Sequence, residues 1–189
     1  MKTLSGKPLQ KNTSELSRSL SVPYALEVGL IIIAGALVTL IHAKFRYPMN
    51  IPGRHGLDFM LIIMSTKLLS KINFSATIAS SSAALLTLIP MWGFKDPFLP
   101  AYFVMVGLMI DLLYNGIKSN PKKVILIAFV GGLAYTMIPL LRSILFFAGY
   151  PYMSFIKHGV VIPFITHFLF ATTGSFAALG LGWLSKRKK

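Results

Sequence analysis

The sequence predicts an all-α integral membrane protein with six transmembrane helices. Of its 189 residues, 54% are hydrophobic and only 13% are charged, whereas ordinary soluble domains carry about 25% charged residues. Apolar runs recur along the chain, separated by short polar or proline-rich segments. Since one crossing needs about 20 apolar residues, six crossings use nearly the whole chain. They leave no room for a soluble catalytic core or an ATPase domain.

The predicted organisation has three parts: a basic cytoplasmic arm over residues 1–22, a membrane domain over 23–185 and a basic cytoplasmic tail over 186–189. The predicted spans are 24–43, 57–69, 75–90, 101–117, 124–148 and 160–184. The first is longer than a signal-peptide core, so we expect it to remain as an anchor. The second is short, and we expect the side chain of Lys67 to extend along the helix to the inner membrane interface. The third is rich in Ala, Ser and Thr, which predicts close packing among its neighbours.

The distribution of Lys and Arg predicts the orientation. The arm, the turn at Lys71, residues 118–123 and the tail alternate with a less basic side that carries Lys44, Arg46, Arg54, Lys95 and Lys157. The richer side should be cytoplasmic, which puts both termini inside and the connectors at 92–100 and 150–158 outside. The net charge of +14 is thus explained by membrane topology, and no nucleic-acid partner is expected.

The segment Tyr47–Asp58 is a turn-rich polar loop between the first two apolar runs. Pro48 and Pro52 lack an amide donor, and glycines at 53 and 56 permit backbone angles closed to other residues. Arg54 and His55 then precede the next helix. Two interpretations are open: a solvated connector, or a gate over a binding site. The outer position of the loop favours the gate.

Charge inside a membrane span is costly and indicates function by default, and Asp111 and Arg142 are the two such residues that invite pairing. Asp111 lies near the inner end of its span and Arg142 near the outer end of another, so we expect no pairing between them. Arg142 instead shares its depth with His167. Pro139 removes a helical donor and predicts a kink just before Arg142. The alternatives are an Arg142 that reaches outward to the interface and a His167 that is simply buried.

The candidate ligand site collects outer residues that are cationic, aromatic or hydrogen-bonding. The predicted binding residues are Asn50, Arg54, His55, Asp58, Trp92, Lys95, Tyr102, Arg142 and His167. Further outer residues in the same group are Asp96, Tyr152, Lys157 and His158. An excess of cations among flat aromatic faces suits a ligand with a ring system and a carboxylate or phosphate.

Catalytic signatures are scarce. The chain has no cysteine, and no zinc-binding His-Glu-x-x-His, Gly-x-Ser-x-Gly elbow or Walker loop occurs in it. His55 and Asp58 are close enough in sequence to form an acid–base pair, but no nucleophile stands near them. We expect no catalytic residue, metal or cofactor. A small membrane phosphatase or transferase, or another six-helix carrier, remains an alternative to a binding subunit.

The size, the predicted helix count, the orientation and two local features resemble the substrate-binding (S) subunits of energy-coupling factor (ECF) transporters, which import vitamins and trace nutrients in prokaryotes. One feature is the loop Pro48-Met-Asn-Ile-Pro-Gly-Arg-His-Gly-Leu57, and the other is Ala25-Leu-Glu-Val-Gly29, with small residues spaced by four. The resemblance implies a multi-pass protein of the plasma or inner membrane with an outward-facing pocket. It also implies a transmembrane coupling subunit docked at Ala25 and Gly29, and separate ATPase subunits.

Overall fold

The computed structural model describes residues 23–44, 51–117 and 123–187, and all regular structure within them is helical. The helices are α1 Tyr24–Lys44, α2 Gly56–Leu69, α3 Ser75–Thr87, α4 Leu99–Ile117, α5 Lys123–Tyr135, α6 Met137–Phe147, α7 Met153–His158 and α8 Val161–Arg187. A single 3-10 turn, Pro90–Trp92, follows α3. The all-α prediction is therefore confirmed for the described residues.

Within the described residues, four stretches are long and apolar enough to cross a membrane: Tyr24–Lys44, Leu99–Ile117, Val124–Phe147 and Val161–Trp183. Helices α2 and α3 have 14 and 13 residues. At 1.5 Å per residue each is only about 20 Å long, against a hydrocarbon core of about 30 Å. Length and composition thus support a multi-pass membrane protein with four candidate spanning helices, and six spans stay a prediction.

The helices form a closed ring. Helix α1 packs on α3, α3 on α4, α4 on α5, α5 on α8, α8 on α2 and α2 back on α1. Helix α2 also touches α3 and α5, and its apolar side chains Phe59, Met60, Ile63 and Met64 are almost completely buried. The short α2 is therefore surrounded by protein over much of its surface.

Small residues let α3 pack tightly between α1 and α4. A side chain at Gly35 of α1 would overlap the backbone carbonyl of Ala79, and one at Gly107 of α4 would press against the carbonyl of Ala76. The buried positions of α3 are all Ala, Ser or Thr. The predicted close packing of this segment is confirmed, because close backbone approach requires small residues.

The fifth span is interrupted as predicted. Helix α5 ends at Tyr135 and α6 begins at Met137, with Thr136 between them. Pro139 has no amide hydrogen to offer the carbonyl of Tyr135, which weakens the helix one turn earlier. Tyr135 and Arg142, on either side of the interruption, line the same cavity, described below.

Lys67 does not reach the interface, so that prediction is wrong. Its side chain is only 3% exposed, pairs with Asp111 and donates to the carbonyl of Asn73. Asp111 also accepts hydrogen bonds from the backbone N–H of Thr77, at 2.8 Å, and from its hydroxyl, at 2.6 Å. A buried carboxylate satisfies this ammonium at lower cost than a long path to water. Asp111 does not pair with Arg142, as predicted.

The predicted partner-binding residues lie on an uncovered face of α1. Ala25 is exposed, and Gly29 is half-buried with open space beside it. Glu27 lies about 180° away around the helix, at about 100° per residue. Its carboxylate accepts hydrogen bonds from the hydroxyl of Ser70 and the N–H of Lys71, both at 2.7 Å. Glu27 therefore anchors the start of α1 to the α2–α3 turn and does not obstruct the Ala25–Gly29 face.

Candidate functional site

A cavity of about 300 Å³ opens at the end of the bundle where α1 ends and α2, α4 and α8 begin. Ligand pockets in proteins span roughly 300–1,000 Å³, so this one suits a small ligand. Its lining combines imidazoles, aromatic rings and charged groups. It consists of His42, Gly53, His55, Gly93, Phe94, Lys95, Asp96, Leu99, Phe103, Tyr135, Ile138, Arg142 and His167.

The loop before α2 lies directly against this cavity. Gly53 has a φ of +77°, and a Cβ atom there would overlap the imidazole of His167. The backbone freedom that glycine permits is thus used at Gly53. Gly56 begins α2 without a positive φ, and a Cβ atom there would overlap the ring of Tyr135. The two glycines bring the loop into contact with two cavity-lining rings.

Arg142 is held rigidly at the cavity by an acidic and an aromatic partner. Its Nε and Nη2 donate to Oδ2 of Asp96 at 3.1 and 2.7 Å. The guanidinium carbon lies 5.5 Å from the ring centre of Tyr102 and 5.4 Å from that of Tyr152, within cation–π range. Arg142 therefore does not simply reach outward to the interface, because these contacts fix it beside the cavity.

Tyr102 and Tyr152 support this arrangement as a pair. Their hydroxyl oxygens lie 2.6 Å apart and share one hydrogen bond. Burial, followed by the hydrogen bond to Tyr102, raises the pKa of Tyr152 well above its ordinary value. Both rings consequently present neutral faces to the guanidinium of Arg142.

Two stacked imidazoles form one wall. The rings of His42 and His55 lie 3.9 Å apart and nearly parallel, at 14°, with Phe94 edge-on to His42 at 5.3 Å. Nε of Arg54 donates to Nε2 of His55 at 3.3 Å. Burial and then the positive charge of Arg54 lower the pKa of His55 to about 4. His55 is therefore a neutral ring at physiological pH.

His167 and Tyr135 form a second wall. Their ring centroids are 5.5 Å apart at an angle of 28°. Nδ1 of His167 lies 2.6 Å from the carbonyl oxygen of Pro163. Because a carbonyl oxygen can only accept, Nδ1 carries the hydrogen of this bond. This hydrogen bond fixes the orientation of the ring.

The predicted binding residues differ in their position relative to the cavity. Four line the cavity: His55, Lys95, Arg142 and His167. Arg54 and Tyr102 contact lining residues from behind. Asp58 and Trp92 are not part of the lining, and Asn50 lies outside the described residues. Of the wider outer group, Asp96 lines the cavity and Tyr152 supports Arg142, whereas Lys157 and His158 end α7 away from the lining.

Sequence reasoning missed His42 and the rings of Phe94, Phe103 and Tyr135. His42 was identifiable in principle, because it falls in the last turn of α1 on the same outer side as His55. The three aromatic residues carry no such signal, since aromatic side chains are common throughout membrane spans and at interfaces. Although three histidines line the cavity, no group of three or more His, Asp or Glu among the described residues could hold a metal ion.

No protein-family model matches the chain, and neither a curated protein nor a solved structure does so. The functional assignment therefore depends on the chemistry of the cavity.

Proposed function

We propose that the protein is the membrane-embedded substrate-binding subunit of a nutrient importer, resembling the S subunits of ECF transporters. The observation that carries the proposal is the cavity of about 300 Å³ beneath the Gly53 loop. Its aromatic walls and fixed guanidinium are suited to holding a vitamin-sized compound. The subunit captures this compound outside the cell, and partner subunits supply the ATP hydrolysis for import.

In this proposal six helical segments cross the membrane, and both termini are cytoplasmic. The six segments are α1, α2, α3, α4, the interrupted pair α5–α6, and α8. Contacts at the two ends of the bundle support a chain that crosses the membrane back and forth. Glu27 at the start of α1 meets the α2–α3 turn at Ser70, whereas His42 near the end of α1 meets His55 before α2. Helices α2 and α3 can be short because neighbouring helices cover much of their surface, and bilayer thickness constrains mainly lipid-facing segments. The segments richest in Lys and Arg adjoin, in the sequence, the helix ends opposite the cavity, which supports a cavity that faces outward.

The coupling subunit docks along α1. An exposed apolar stripe, Leu26, Leu30, Ile33 and Leu37, runs beside Ala25 and Gly29. The small residues at 25 and 29 would let a partner helix approach closely. Glu27 faces the opposite side and leaves this surface apolar.

The cavity supports a carrier better than a phosphatase or transferase. No serine, threonine or cysteine is among its lining residues in the described part of the chain, so the most common hydroxyl and thiol nucleophiles are missing there. The imidazole of His55 accepts a hydrogen bond from Arg54 and stacks on the ring of His42. Asp58, its predicted acid–base partner, is not part of the lining.

Native mass spectrometry of the full chain, purified in mild detergent from a host that expresses its transport partners, tests the proposal. We expect one small compound bound per protein and a complex that contains a membrane subunit and ATPase subunits. A protein that carries no compound and forms no such complex would contradict the proposal. Hydrolysis of a phosphate or acyl ester that is lost in His55→Ala would instead favour the enzyme.

A further inference from the structure

His167 offers a hydrogen-bond acceptor to the cavity. Since its Nδ1 hydrogen is donated to the carbonyl of Pro163, a neutral ring must use Nε2 as an acceptor. Among the described residues, the hydrogen bonds of His167 involve Nδ1 alone. His167 is only 5% exposed and yet lines the cavity. A ligand that donates a hydrogen bond would satisfy Nε2.

The walls of the cavity are flat on two sides. One consists of the His42–His55 stack with Phe94 and Phe103 against it. The other is the pair of Tyr135 and His167. Planar rings pack favourably on such faces in offset or edge-on arrangements. Nδ1 of His42 is buried without a hydrogen-bond partner among the described residues, which adds an unmet polar group beside an apolar wall.

The charged rim carries an excess of positive charge. Lys95 and Arg142 are the cationic lining residues and Asp96 is the acidic one. Nε and Nη2 of Arg142 donate to Oδ2 of Asp96, so the three groups together keep one net positive charge, and Lys95 is exposed at the mouth. An acidic group on the ligand would complete the charge balance and bind through charge-assisted hydrogen bonds.

We infer that the ligand is a planar one- or two-ring nitrogen heterocycle that donates a ring N–H hydrogen bond to Nε2 of His167 and presents an acidic group to Lys95 and Arg142. This inference rests on the proposed function. The volume of about 300 Å³, at the lower end of the range for ligand pockets, favours such a compound over a tetrapyrrole. The flat walls favour a planar ring, Nε2 of His167 favours a hydrogen-bond donor, and the positive rim favours an acidic group on the ligand.

Three probes of similar shape separate these features on the wild-type protein. Pterin-6-carboxylate has a ring N–H donor, an amino group and an acidic group. Pterin has the same N–H donors without the acid, and 2-naphthoate has the two-ring shape and the acid without N–H donors. Calorimetry should show pterin-6-carboxylate binding more than roughly tenfold tighter than either other probe, which corresponds to about 1.4 kcal/mol. Equal binding of pterin-6-carboxylate and 2-naphthoate, or failure of pterin-6-carboxylate to bind, would overturn the inference.

Two variants of His167 test its acceptor atom. His167→Gln can place an amide oxygen near the position of Nε2, whereas His167→Asn can retain a donor for Pro163 but leaves the Nε2 position empty. We expect pterin-6-carboxylate to lose more than roughly tenfold in affinity in His167→Asn and less than about threefold in His167→Gln. The affinity of 2-naphthoate should be the same in both. Equal losses for both probes would show a structural role and contradict the inference.

The compound bound to the purified protein separates the two levels of failure. A bound heterocycle with an N–H group and an acidic group supports both the inference and the proposed function. A bound compound without a ring, or with a positive charge, overturns the inferred ligand class but remains consistent with the proposed function as a binding subunit. A protein that is empty and binds none of the three probes overturns both.

Discussion

At Gly53 two independent constraints exclude a side chain. The backbone φ of +77° is strained for any L-residue with a Cβ atom, and the imidazole of His167 fills the space that a Cβ would need. The residue therefore links the shape of the loop to the position of a cavity ring. The outer position of the loop favoured a gate over a solvated connector, but the contact of the loop with His167 depends on tertiary packing.

Gly53→Ala should weaken binding of the co-purifying compound by more than roughly tenfold, because His167 must move out of its place. Gly159→Ala is the matched control, since Gly159 has a similar φ of +70° with nothing within 4 Å of a built Cβ. Both variants should lower the melting temperature through backbone strain. Isothermal titration should separate them, and equal affinities in the two variants would show that the contact with His167 does not matter.

The pKa of His55 predicts a pH-dependent stability. Its pKa is lowered to about 4 in the folded protein from an ordinary value of 6.5. As the pH falls below 6.5, His55 becomes protonated in the unfolded chain but stays neutral in the folded chain until about pH 4. The stabilising contribution is complete above pH 6.5 and is lost on acidification toward pH 4. Melting temperatures in detergent should fall more steeply over this window in the wild type than in His55→Asn, and parallel curves would contradict the assignment.

Among the elements, α2, α3 and α4 are joined by one buried polar cluster. Lys67 of α2 pairs with Asp111 of α4, which also accepts from the N–H and hydroxyl of Thr77 in α3. Lys67 also lies 5.1 Å from the ring centre of Tyr114. These contacts connect three helices at the end of the bundle away from the cavity.

Lys67→Met should destabilise the protein by about 3–5 kcal/mol, because it leaves the Asp111 carboxylate buried without its counter-charge. The double variant Lys67→Met with Asp111→Asn should regain much of this loss, since asparagine is neutral and still accepts from Thr77. Reversible unfolding in detergent mixtures measures both free energies. A double variant no more stable than Lys67→Met would contradict the role of the ion pair.

The helices were largely predictable because their apolar runs and their interruptions are local properties. Pro139 predicted the break at Thr136, and Pro90 explains why α3 ends at Thr87, before the predicted end of its span. Helix α7 falls in a segment predicted as a loop, because six residues bounded by glycine and proline carry too little periodicity. The partner of Lys67 was not predictable, since hydropathy along a chain does not say which helices become neighbours.

At the scale of the whole molecule, the ring of helices brings together residues that are far apart in sequence. Arg142 and His167 were predicted to share one depth, and they line one cavity. His42 was not among the predicted binding residues, although it stacks on one of them, His55. Charge and depth along the sequence could identify an outer site, but ring stacking and the Asp96–Arg142 pair depend on how the helices are arranged.

The orientation can be tested directly because the chain has no cysteine. Met91, which is 83% exposed near the cavity end, and Lys71, which is exposed at the opposite end, are suitable positions for single cysteines. A membrane-impermeant maleimide should label Met91→Cys in intact cells and label Lys71→Cys only after permeabilisation. The reverse pattern would mean that the cavity faces the cytoplasm and would contradict capture from outside.

In the proposed function, the cavity beside Arg142 holds the ligand that the protein captures. The most direct measurement is the dissociation constant of the co-purifying compound for Arg142→Ala, with Lys71→Ala as a control that removes the same charge at the opposite end. We expect Arg142→Ala to weaken binding by more than roughly tenfold, about 1.4 kcal/mol, and Lys71→Ala to leave it unchanged. An unchanged dissociation constant in a folded Arg142→Ala protein would contradict the claim.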